Sequence, residues 1–314
     1  MIAGIRVGHA TDPVGLTGVT VVLSDAPAVA GIALRGGAND VVGLDHLDSG
    51  HLVGTVNGIV LGGGSRFGEE AVYGVMRWLE ERGVGFRVGA AVVPHVPGAF
   101  LFDLNVGDPH ARPTREMGYD AAKSAAAGPV AEGSVGAGTG ATVGKVNGIA
   151  CAMRGGVGIA TADAGDVVVT ALMAVNAVGD VRDPETGALI AGTREAPGSR
   201  RLIDSARAIA AGAGRFGGPS HTTIGVVATN ARLMKVEATR VASLAMVGFG
   251  RALSPPHTAF DGDSLFVLSV GETAFDLTRL GVLAADAVAR AIARGARAAT
   301  SLPNIPAARD LAAI

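Results

Sequence analysis

Cysteine is almost absent: Cys151 stands alone in 314 residues. An internal disulfide is thereby excluded, and a reducing compartment fits better than a disulfide-stapled secreted scaffold. The thiol reads as a small buried hydrophobe and not as a nucleophile. Aromatic residues are scarce as well, at 4% of a chain that is 48% hydrophobic and carries 48 glycines. The interior must therefore be assembled from Ala, Val, Leu and Ile packed close to the backbone, which favours tightly layered sheets and helices. Charge of one sign is missing: 26 Lys and Arg stand against 28 Asp and Glu, a formal net charge of -2. No basic field exists for a nucleic-acid backbone. Each apolar run is broken by Gly, Pro, Asn or a charge before the roughly 20 residues that a membrane-spanning helix needs. The start, Met1-Ile2-Ala3-Gly4-Ile5-Arg6, shows no charged region followed by an apolar one, so no secretory signal is expected. His9, His46, His51, His95 and His110 are scattered along the chain and read as surface or turn histidines. The expectation is a soluble, cytoplasmic protein without metal, cofactor, nucleic-acid partner or membrane association.

What is present converges on one stretch, Ser220-His221-Thr222-Thr223-Ile224-Gly225-Val226-Val227-Ala228-Thr229-Asn230. A polar Gly/Pro/Ser loop over 215–220 turns abruptly into an apolar, β-branched run. Such a run reads as a buried strand with hydroxyls at its mouth. A hydroxyl on a rigid strand end is well placed as a nucleophile; equally, Thr simply favours strands.

The length allows two domains or one large one. Strands are expected at 19–23, 29–34, 59–61, 88–93, 99–104, 167–175 and 264–270, and helices at 72–79, 117–127, 200–213, 234–253 and 277–294. Gly83 reads as the stop of the 72–79 helix. The glycine loop 62–68 lacks the GK[ST] ending of a phosphate loop, so its glycines serve close backbone approach between layers or around a substrate. Lys145 closes a run of small residues, 133–145, and is either a solvated surface cation or an amine tuned by burial beside a nucleophile. Asn176 ends a strand, where its amide can face a developing oxyanion or cap a turn. Asp261 and Asp263, one residue apart at a strand mouth, suit a cation site, a turn or a proton clamp; with no clustered ligands nearby, metal is discounted. The tail 301–314 reads as a Pro-containing surface segment.

These pieces together resemble the L-aminopeptidase/D-esterase family, which includes the nylon-oligomer hydrolases and β-peptidyl aminopeptidases. The resemblance spans nearly the whole chain. It rests on Gly4-Ile5-Arg6-Val7-Gly8-His9, Leu61-Gly62-Gly63-Gly64-Ser65, Val96-Pro97-Gly98-Ala99 with Phe102-Asp103-Leu104, and Gly138-Thr139-Gly140-Ala141-Thr142-Val143-Gly144-Lys145. Further matches are Ala174-Val175-Asn176-Ala177-Val178-Gly179, Thr222-Thr223-Ile224-Gly225-Val226-Val227-Ala228-Thr229-Asn230, and His257-Thr258 with Phe260-Asp261-Gly262-Asp263.

The resemblance implies a four-layer α/β/β/α sandwich of the type shared with ornithine acetyltransferases, as a single domain over 1–314. It also implies a precursor that cuts itself between His221 and Thr222 into chains 1–221 and 222–314. Thr222 would then be the N-terminal nucleophile of an aminopeptidase or amidase. Lys145 and Asp261 match positions beside the nucleophile, Asn176 the oxyanion-stabilising asparagine and Asp263 the second acid. Gly64, Ser65 and Phe102 match substrate-binding positions; at Phe102 the nylon-oligomer hydrolases carry Tyr, so that hydroxyl's hydrogen bond is missing here. The residue before the cut is usually Asn or Gly; His221 cannot relieve strained backbone as glycine does, so slow self-processing is expected. Two alternatives are an acyltransferase of the ornithine acetyltransferase type and an unprocessed small-ligand binder. The implied partners are a small peptide or amide and further copies of the chain, a tetramer by analogy.

Overall fold

The computed structural model describes residues 2–214 and 221–311. The loop 215–220, the polar lead-in to the central strand, and the tail beyond residue 311 lie outside the described residues. The N-terminal part contributes β1 (Ile5–Asp12), β2 (Thr17–Leu34), β3 (Val56–Gly62), α1 (Glu70–Glu80), β4 (Gly98–Phe100) and α2 (Arg115–Ser124). β5 (Gly156–Ala164), β6 (Val167–Val175), α3 (Ser205–Ala210), β7 (Ile224–Ala231), α4 (Lys235–Ala245), α5 (Val247–Ala252), β8 (Ser264–Thr273) and α6 (Leu277–Ala298) follow.

β2 is the hinge of the design. Its first half pairs with β1 and β3, its second half with β8, and the register shifts between Leu23 and Ala28. One strand thus serves two sheets. The second sheet runs β5, β6, β7, β8, β2, antiparallel except for the parallel pair β7 and β8. A parallel pair needs a long crossover, which α4 and α5 supply.

Alternation of side chains along the strands then builds three cores. Val19, Val21, Leu23 and Val60 face Val72, Val75 and Leu79 of α1. On the opposite face, Val22, Ile59 and Leu61 meet Leu172, Ile224, Val226, Phe266 and Leu268 of the second sheet. The outer face of that sheet, with Val169, Ala171, Met173, Val227 and Val267, packs on Val241, Phe249, Leu280 and Val288. Three cores between four layers give helix, sheet, sheet, helix, the sandwich that the family resemblance implies. Glycine sets how close the layers come: a Cβ on Gly158 of β5 would lie 2.3 Å from the backbone nitrogen of Gly295 in α6. No described helix is long and apolar enough to cross a membrane.

Several expectations are corrected. The two strands expected at 19–23 and 29–34 are one, because the Ser-Asp-Ala-Pro-Ala segment takes up a register shift against β3 and pairing resumes at Ala28. The 88–93 strand is a hairpin of Phe86–Val88 and Ala91–Val93, and the 99–104 strand ends at Phe100. The 200–213 helix shrinks to Ser205–Ala210, since Leu202 bridges Arg194 and Asp204 caps the N-terminus through the Arg207 N–H. The 234–253 helix divides at Met246. The tail carries a short helix, Ala308–Leu311, with Ala307 and Ala308 buried.

Candidate active site

The register of the second sheet assembles the site. β6 and β7 pair antiparallel with Ala174 opposite Ile224, and the ladder continues to a 3.0 Å bond from the Thr222 N–H to the Asn176 carbonyl. On the other side β7 runs parallel to β8, with Ile224 beside Ser264. That pairing extends back through a bridge between His221 and Asp261 and a 2.9 Å bond from the Gly262 N–H to the His221 carbonyl. Thr222 is therefore held between Asn176 and Gly262 by the backbone alone.

The peptide bond between His221 and Thr222 is the centre of the arrangement. Thr222 Oγ1 lies 2.5 Å from the His221 carbonyl oxygen, to which it donates. The same oxygen accepts the Gly262 N–H. A hydroxyl and a backbone donor on one amide carbonyl are the kinds of group that acyl chemistry uses as nucleophile and oxyanion donor.

Around that bond the polar groups are buried and bonded. Asn176 Oδ1 accepts from Lys145 Nζ at 2.8 Å, from the Thr142 N–H at 3.0 Å and from Thr142 Oγ1 at 3.3 Å. This fixes the amide, whose Nδ2 donates to the Phe102 carbonyl at 3.0 Å. One of the two Nδ2 protons is thus committed to Phe102, a detail the oxyanion expectation for Asn176 did not contain. Lys145 Nζ also donates to the Asn176 carbonyl at 3.0 Å. Its relative exposure is 3%, so it is no solvated surface cation. Burial lowers its pKa to about 7, against the opposing pull of Asp261.

The two carboxylates act as clamps. Asp261 accepts from Thr258 Oγ1 at 2.6 Å and from the N–H groups of Thr258 and Val178. Burial, and then the neighbouring Asp263, raise its pKa to about 6. Asp263 accepts from the Thr223 N–H at 2.8 Å and from His257 Nδ1 at 2.8 Å. Both carboxylates bond groups of the 257–258 turn, Asp261 at Thr258 and Asp263 at His257.

Phe102, Gly64 and Ser65 flank this centre without touching Thr222 through any polar bond among the described residues. Gly64 donates its N–H to Asp103 at 2.7 Å, and Ser65 Oγ donates to Asp40 at 2.9 Å. Asn39, next to Asp40, donates to the Asp263 carbonyl at 3.0 Å, which links this wall to the acids. Sequence reasoning missed Gly262, Thr142 and Asn39. A backbone donor leaves no residue-type signal, and the other two are recognisable only by their distant partners. The histidines were also misjudged: His46 lies with its ring centroid 5.3 Å from that of His51 and 4.4 Å from that of His95.

Comparison with known proteins gives the family and agrees with the fold. The model of peptidase family S58 matches residues 2–307. An uncharacterised aminopeptidase of Mycobacterium bovis is 39% identical over 340 aligned positions, covering 99% of this chain and 96% of its own. A 6-aminohexanoate-oligomer endohydrolase of Kocuria sp. is 33% identical, covering 86% of this chain and 74% of its own. Among solved structures, the L-aminopeptidase D-Ala-esterase/amidase of Ochrobactrum anthropi, described as a variant of the N-terminal-nucleophile hydrolase fold, superposes with a TM-score of 0.75 at 20% identity, covering 99% of this chain and 90% of that one. A β-aminopeptidase of Burkholderia sp. gives 0.68 at 23% identity, covering 95% and 85%. The chain belongs to peptidase family S58 and has the N-terminal-nucleophile hydrolase fold.

Proposed function

We propose that Thr222 performs two reactions in turn: it cuts the chain after His221, and its freed amino end then hydrolyses small peptides or amides. The observation that carries this reading is the convergence of Thr222 Oγ1 and the Gly262 N–H on the His221 carbonyl oxygen.

In the first reaction Oγ1 attacks the His221 carbonyl carbon, and its proton passes to Lys145 as the neutral amine. The oxyanion is held by Gly262. The C–N bond breaks as the proton is returned to the Thr222 nitrogen, leaving an ester between His221 and Oγ1. Water hydrolyses the ester to a His221 carboxylate and a free Thr222 amine. That amine, with a reference pKa of about 7.7 to 8.0, suits a general base near neutral pH. In the second reaction Oγ1 attacks a substrate amide, with the remaining Asn176 N–H and Gly262 facing the oxyanion, and water releases the acyl group. Chain 222–314 supplies β7 and β8, which lie between β6 and β2, so both fragments stay interleaved after the cut.

The space filled by His221, only 2% exposed, becomes the acyl site once cleavage releases it. The name of the Mycobacterium relative supports substrates with a free amino end, and that of the Kocuria relative supports amide oligomers cut internally. A denaturing gel with N-terminal sequencing tests the reading. Two fragments are expected, the smaller starting at Thr222; a persistently intact chain without turnover overturns it.

Gly262→Ala is expected to slow self-cleavage by about 100-fold, because its Cβ would lie 2.9 Å from Thr222 Oγ1 and 2.3 Å from the Ala38 carbonyl oxygen. Time-resolved gels of freshly refolded protein measure it, and an unchanged rate shows that the close packing of Gly262 on Thr222 does not position the reacting groups. We also read the protein as a cytoplasmic homo-oligomer, a tetramer by analogy; the exposed Val88 and Val93 of the hairpin support self-association. Light scattering that gives a monomer removes that part.

A further inference from the structure

Asp45, His46 and His51 each bring one ligand atom to within 4.8 Å of the others, apart from the Thr222 cluster. We propose that these three side chains form a binding site for a zinc-like divalent cation, with the remaining coordination position open to water.

The donor set and its surroundings support this. Two imidazoles and a carboxylate are the ligands that zinc and its neighbours in the first transition row accept, and three protein donors leave an open position. His46 Nε2 faces Asp45 Oδ2 at 3.6 Å, so this nitrogen is the one that can share a cation with the carboxylate. His51 Nδ1 accepts the Val53 N–H at 3.2 Å and lies 3.3 Å from the Val53 carbonyl; these contacts call for opposite tautomers, and the one bonded to the carbonyl presents Nε2 as the metal donor. His95, 8% exposed, packs against the His46 ring and fixes its plane.

The loop is preorganised. Lys235 Nζ donates at 2.9 Å to each of the His46, Asp48 and Val53 carbonyls, closing the segment that carries both histidines. Its positive charge opposes a dication, and the Asp45 carboxylate offsets that opposition. Asn39 and Asp40, which hold Asp263 and Ser65, lie on the same chain segment a few residues earlier. A cation here would therefore tie down one wall of the candidate active site without entering the chemistry.

Calorimetric titration of zinc chloride into chelator-treated, untagged protein tests the proposal, together with visible spectra of the cobalt form. A single equivalent is expected to bind, to raise the thermal midpoint and to give the intense visible bands of low-coordinate cobalt. His46→Ala and His51→Ala should each weaken binding by about tenfold or more, whereas His110→Ala, at an exposed turn, should not. Circular dichroism checks that the variants are folded; Asp45→Asn, on an exposed side chain, repeats the test with the least disturbance. Absence of binding to the wild-type protein overturns the proposal. So does equal affinity in folded His46→Ala, His51→Ala and Asp45→Asn.

Discussion

Thr222→Ala is expected to leave one full-length band on a denaturing gel and to lower amide hydrolysis by about 10⁴-fold or more. The hydroxyl of Thr222 is the side-chain group bonded to the His221 carbonyl, so removing it removes the attacking atom for both reactions. Thr222→Ser retains the oxygen and should retain both. The neighbouring Thr223 supplies the control. Successive strand residues point to opposite faces, and among the described residues the buried Thr223 hydroxyl has no partner while its N–H is held by Asp263. Thr223→Ala should therefore still cut. Fragments from the Thr222→Ala chain, or their loss in a folded Thr223→Ala chain, would assign the nucleophile elsewhere.

Much of this site was legible in the sequence, for reasons that can be stated residue by residue. The run after Thr223 is apolar and β-branched on both faces, as a strand covered by layers on either side must be. Asp261 and Asp263 stand one residue apart at the mouth of β8, and Lys145 among small residues left open both a solvated cation and an amine tuned by burial. The layer order came from the family resemblance, since periodicity does not say which sheet covers which. The failures have a common cause in contacts between distant segments. An i, i+3, i+4 pattern over 200–213 suggested a long helix, but the bridge from Leu202 to Arg194 takes its first residues. The strands expected separately at 19–23 and 29–34 are one, because Pro27, which lacks an N–H, is tolerated where the strand leaves one sheet for the other. His46, His51 and His95 looked scattered because 44 residues separate His51 from His95, and folding of the β3 and β4 region alone brings them together.

Lys145→Met is expected to slow self-cleavage by about 10²- to 10⁴-fold, the usual contribution of a positioned general base. The wild-type rate should rise as pH increases through about 7, because only the neutral amine can take the Thr222 proton and burial places its pKa there. The variant should lose that rise. Stability must show the same titration with a defined sign. The folded-state pKa of about 7 lies below the ordinary value of 10.5, so the native state binds fewer protons than the unfolded state between these limits. Stability attributable to Lys145 is therefore fully present above 10.5 and is lost as pH falls through about 7. Asp261 works in the opposite sense: its pKa is raised from 3.8 to about 6, so its contribution is present below 3.8 and is lost as pH rises through about 6. Denaturant unfolding across pH, on a Thr222→Ala background that keeps the chain uncut, separates the two. Adding Lys145→Met should flatten the slope above pH 7 and leave the acid limb in place. Self-cleavage of Lys145→Met with the wild-type pH profile would mean that another group takes the proton.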